Sequence, residues 1–128
     1  MADLKQKALA LLASVSAVGL QNGDGKTTLY TVPPGKKAAI IHCVVRQPSA
    51  SLAGGTDFDF GDGANADTWK NTVNLSTMTA TTDFMVVDGS NAKYTVFDAG
   101  DAFGVKPATG ATADATATID VFGYEFAA

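Results

Sequence analysis

The stretch "KKAAIIHCVVR" alternates with period two. Ile41, Cys43 and Val45 fall on one side, and Ile40, His42 and Val44 on the other. Both sides are mostly apolar, which predicts a strand covered on both faces over Lys37–Arg46. "TDFDF" alternates more cleanly, with Phe58 and Phe60 on one face and Asp57 and Asp59 on the other, as in a half-buried strand. The same reading predicts strands near Thr28–Val32, Thr56–Gly61, Asp83–Val87, Lys93–Phe97, Ala102–Lys106 and Ala115–Phe126. They are punctuated by Pro33-Pro34-Gly35 and by the runs "DGSN", "DAGD" and "PATGATAD". Short strands at this spacing predict an all-β antiparallel β-sandwich, jelly-roll-like in its first-choice topology. Ile41, Cys43, Val45, Phe58, Phe60, Val86, Val96, Phe103, Ile119 and Val121 are expected in or beside its core.

The first twenty residues, "MADLKQKALALLASVSAVGL", follow another period. Placed on a helix, Leu4, Ala8, Leu11, Leu12, Val15 and Val18 share one face, with Gln6, Ala10, Ala13 and Ser14 opposite. This gives an N-terminal helical or extended arm with a linker over 1–25 and a sandwich domain over 26–128. The stripe of Leu4, Leu11, Leu12, Val15 and Val18 either packs on the chain's own domain or docks on a neighbouring subunit. The run also resembles a secretory signal, although Asp3 is unusual in the charged part of one. It is too short and too rich in Ala and Ser to span a bilayer.

Composition sharpens this picture. Twelve aspartates stand against the single Glu125; Asp favours turns and caps where Glu favours helix interiors. The formal net charge is −4, Arg46 is the one arginine, and the lysines are scattered. Nucleic-acid binding needs clustered basic residues, so no nucleic acid is expected as a partner, and no membrane.

"DFDFGDGANAD" suggests a calcium loop, but an EF-hand loop needs oxygen ligands at positions one, three and five, then glycine, and a Glu at twelve. Counted from Asp57, position five is Gly61 and position twelve is Thr68; counted from Asp59, position three is Gly61. The stretch therefore reads as a strand and its turn. His42 and Cys43 are neighbours on a strand and point to opposite faces, so they cannot act as nucleophile and base. With one histidine there is no zinc set. No metal, cofactor or catalytic residue is expected. Asn74-Leu75-Ser76 fits a glycosylation triplet. Trp69 is a core or interface anchor, or a platform for sugar stacking.

Two segments carry a resemblance to a known family. "TTLYTVPPGKKAAII" resembles an opening strand pair of the form T-x-Y-x-V-P-x-G-K-x-A, found in small virion proteins of tailed bacteriophages. "QPSASLAGGTDFDFG" (residues 47–61) is similar to a second segment of that family. The likeness extends from about Thr27 to the terminal "DVFGYEF" and is greatest to capsid decoration, or cement, proteins. It implies a non-enzymatic structural protein on the outer surface of a phage capsid, reinforcing subunit contacts. Its implied partners are the major capsid protein and further copies of itself, as a trimer or dimer. The interface candidates are Leu4, Leu11, Leu12, Val15, Val18 and Trp69. An alternative is a carbohydrate- or receptor-binding sandwich of a fibre or tail, with Trp69, Tyr94 or Tyr124 as platforms. A further alternative is an exported sandwich led by a signal peptide.

Overall fold

The computed structural model describes residues 9–89 and 96–128. They form nine strands: β1 (Ala10–Gly19), β2 (Thr27–Thr31), β3 (Lys36–Arg46), β4 (Asp57–Gly61), β5 (Lys70–Val73), β6 (Phe84–Asp88), β7 (Val96–Asp98), β8 (Ala102–Thr109) and β9 (Thr116–Ala127). Two antiparallel sheets pack into a sandwich. One runs β1-β9-β3-β6, with β7 also on β3; the other runs β2-β8-β4-β5. Pairing β1 with β9, β2 with β8, β3 with β6 and β4 with β5 is the pattern of one long hairpin rolled up, a jelly roll.

The strands occur where β-branched and aromatic residues concentrate, since these pack well on a pleated surface. β3 and β9, the two longest, form the middle of the larger sheet in a register from Lys36↔Ala127 to Arg46↔Thr118. The turns carry their own chemistry. Gly35 and Gly100 adopt positive φ, Lys36 N–H donates to the Pro33 carbonyl, and Asp98 N–H donates to the Asp101 carboxylate. The core lies between the sheets and is built on Phe58, Phe60, Phe97, Phe103, Ile40 and Ile119. Trp69 joins it edge-on to Phe60 and Phe103, and its indole N–H donates to the Ile40 carbonyl at 3.0 Å.

No described residue is helical, and the helix drawn through the first twenty residues is overturned over residues 10–19, which form β1. The misreading has a physical cause. Bulges between Leu11 and Ala13 and between Val15 and Val18 add residues to β1 against β9. Inward positions are then spaced by two and three (Ala13, Val15, Val18), and that spacing imitates a helical stripe. Far from being an arm, β1 supplies the first strand of the roll, with Val18 and then Leu20 in the core.

The predicted core needs three corrections. A bulge between Ile40 and His42 places Ile40 and Cys43 both inside, which leaves Ile41 half-buried. Gly123 lies opposite, where a Cβ would collide with the Ala39 carbonyl. In β6 the buried valine is Val87 rather than Val86, and in β7 Phe97 is buried while Val96 faces out. Cys43, Val45, Phe58, Phe60, Phe103, Ile119 and Val121 are buried as expected. The strand expected from Lys93 lies, up to Thr95, outside the described residues.

Candidate interaction surface

The two outward faces of the sandwich differ in chemistry. On the smaller sheet, solvent meets Thr28, Asp57, Asp59, Thr72 and Lys106. On the larger sheet, cross-strand registers place a different set in rows. Leu11, Phe122, His42 and Asp88 form one row; Ser14, Asp120, Val44 and Val86 the next; Thr118, Arg46 and Phe84 a third. Toward the other end lie Tyr124, Ala39 and Val96, then Phe126, Lys37 and Asp98. Phe84 is 69 % exposed, Leu11 55 %, Val86 50 % and Val96 46 %. Phe122, Tyr124 and Phe126 alternate along β9 and are half-buried. A monomer seldom exposes contiguous apolar area of this kind without a use for it.

Most charges on this face are neutralised within the chain. Arg46 Nε donates to Asp120 at 2.8 Å and Ser14 Oγ donates to the same carboxylate at 2.6 Å. Burial alone would raise the Asp120 pKa; the Arg46 and Ser14 hydrogen bonds and the Arg46 charge outweigh it, and the net direction is downward. Lys37 pairs with Asp98 at 2.6 Å. His42 stacks on Phe122, with centroids 4.9 Å apart and planes 25° from parallel. The face can bury apolar and aromatic surface without stranding an unpaired buried cation.

The proposed interface residues are divided by this geometry. Leu11 lies on the outward face, Leu12 and Val15 pack partly against the core, and Val18 is buried within it. Leu4 lies outside the described residues. Trp69 is 3 % exposed and is a core residue, available neither to an interface nor to a sugar ring. Tyr94 lies outside the described residues, and Tyr124 is half-buried on the outward face. Sequence reasoning missed Phe84, Val86 and Phe122. A signal existed in "FMVVD", where Phe84 and Val86 share a parity, but Val86 and Val87 are adjacent and alike, and the sequence reading turns the wrong one, Val86, inward.

The other chemical candidates separate as well. Cys43 is fully buried, and its thiol pKa is pushed far above the usual range, by burial first and then by the nearby Asp120 charge. His42 faces the opposite side. In "DFDFGDGANAD", Asp59 and Asp62 are drawn into local hydrogen bonds. Thr72 N–H donates to Asp59 at 3.0 Å, and the Thr68 hydroxyl donates to Asp62 while accepting from its N–H. Among the described residues no group of three or more His, Cys, Asp or Glu side chains comes together. Asn74 is exposed, and its side-chain oxygen accepts from both the amide and the hydroxyl of Ser76, closing a turn.

Neither a family model nor a curated protein matches this sequence. A solved structure does. A chain of the acid-stable capsid of Helicobacter pylori bacteriophage KHP30 superposes with a TM-score of 0.50 at 11 % identity. The match covers 94 % of this chain and 98 % of that one. At that identity the likeness establishes a shared fold, reached through different side chains.

Proposed function

We propose that this chain is a non-enzymatic structural protein of a phage virion that binds the outer surface of the capsid and reinforces subunit contacts. The end-to-end fold likeness to a chain of a phage capsid carries this reading. The apolar outward face supports it, because a particle protein works by being covered by neighbours. The acidic balance fits the outside of a shell better than a DNA-facing lumen. The major capsid protein is the expected partner. The carbohydrate-binding alternative loses its best platform with the burial of Trp69.

The test is reconstitution. Purified protein is added to shells stripped of it and followed by co-sedimentation and by the temperature at which the shells release their contents. Saturable binding with a rise of several degrees is expected. Failure to co-sediment at any concentration tried would remove the capsid-surface assignment.

A further inference from the structure

We infer that the outward face of the β1-β9-β3-β6 sheet is where a second copy of this chain packs, sheet on sheet, about a two-fold axis along the β3–β9 seam. This deepens the virion reading by naming one partner, and it holds or fails in solution, away from any shell.

Area is the first argument. Strands β1, β3 and β9 have 10, 11 and 12 residues, and β6 and β7, with 5 and 3, share the fourth position along β3. At about 3.3 Å per residue and about 4.8 Å between strands this gives a face of roughly 600 Å² in projection. Side-chain relief brings its accessible area near the ~800 Å² per partner of a standard stable interface. A second sheet of the same size covers it, since two sheets pack face to face about 10 Å apart.

Shape is the second. An axis along the β3–β9 seam lays β6 of one copy over β1 of the other, and β3 over β9. Large residues then meet small ones. Val86 on β6 faces Ser14 on β1, Phe84 comes over the β1 bulge that holds the exposed Ser16 and Ala17, and Tyr124 on β9 faces Ala39 on β3. The Lys37 stem and ammonium come over the Phe126 ring, an arrangement that attracts a cation.

Charge is the third. Chains with a net charge of −4 repel one another, so self-association needs a face whose charges are already balanced. Arg46 with Asp120 and Lys37 with Asp98 provide that balance. Asp88 has no partner in either ion pair and comes over Leu11 of the other copy, at the edge of the packed sheets where the outermost strand leaves its carboxylate within reach of water.

Sedimentation of the full chain at concentrations on the order of 10 µM should give twice the 13.1 kDa mass. The exposed pair Phe84→Asp with Val86→Asp should weaken association roughly a hundredfold, with an unchanged circular dichroism spectrum. Thr28→Asp on the opposite sheet should leave the dimer intact. Ser16→Trp should disrupt the dimer by filling the space that the partner's Phe84 needs, and adding Phe84→Ala should restore it. A monomeric wild type, a dimer insensitive to the Phe84/Val86 change, or a Ser16→Trp variant that pairs normally would each overturn the inference. A wild-type monomer that still binds stripped shells would sink this inference and spare the virion reading. A dimer that ignores shells would do the reverse.

Discussion

Thr72 has a φ of +57°, a left-handed conformation that a β-branched side chain rarely adopts. It sits in a bulge of β5 opposite β4, and its N–H is held by the Asp59 carboxylate at 3.0 Å. The left-handed penalty for an L-residue is about 1–2 kcal/mol, while added chain freedom from glycine takes back about 0.5–1 kcal/mol. Thr72→Gly should therefore stabilise the fold by up to about 1 kcal/mol, seen as a higher urea midpoint with an unchanged slope. Phe60 presents the opposite case. It is fully buried against Trp69, and Phe60→Ala should cost about 3–5 kcal/mol; a loss near zero by denaturant titration would contradict its placement. Phe58 and Phe60 were legible in the sequence because Asp57 and Asp59 mark the wet face between them. Ile41 was not, because the inserted residue at the Ile40/His42 bulge carries no local signature and both neighbouring faces are apolar.

Strand β1 shows why whole elements are misread for the same reason. Seven strands were legible, each bounded by Gly, Pro or Asp turns, with β7 only in part. β5 escaped notice because Lys70–Val73 is four residues long and interrupted by its bulge. β1 was seen as an apolar segment and assigned the wrong period, since two bulges stretch its inward spacing beyond two residues. The correction changes what a deletion should do. An arm could be removed without harm, whereas β1 is an edge strand of the larger sheet and carries Val18, which is 1 % exposed. Removing residues 2–19 would expose the β9 edge and part of the core under it. The truncated chain is expected to lose its cooperative thermal transition or to aggregate on expression. A soluble truncation with a sharp, near-native melt would mean that β1 adds little to the roll.

At the scale of the whole molecule, two carboxyls on opposite sheets should bend the stability profile in opposite directions. On the smaller sheet Asp57 has a raised pKa, by desolvation first, then by the Asp59 charge and hydrogen bonding with Asp59, which together outweigh the lowering effect of the Thr72 backbone N–H. One of its oxygens is buried with no hydrogen-bond partner. On the larger sheet the Asp120 pKa is lowered, the Arg46 and Ser14 bonds prevailing over burial. A raised carboxyl binds its proton more tightly folded than unfolded. Its stabilising contribution is complete below the unfolded value near 3.9 and fades as pH rises through the higher folded one. A lowered carboxyl contributes above the unfolded value, and that contribution is lost as pH falls through the lower folded one. On acidification from neutrality Asp57 therefore protonates first and favours the fold, and Asp120 protonates later and opposes it. The melting temperature should pass through a shallow maximum on the acid side of neutrality before falling. Solvent screening keeps the Asp57 arm small, since that side chain is only partly covered. Asp57→Asn should raise the melting temperature at pH 7 and flatten the rise on mild acidification, while leaving the steep acid limb in place. Asp120→Asn should lower stability at pH 7 and soften the acid limb, because Arg46 has lost its counter-charge before any titration begins. If Asp57→Asn melts in parallel with wild type at every pH, the carboxyl pair on β4 is not coupled to folding.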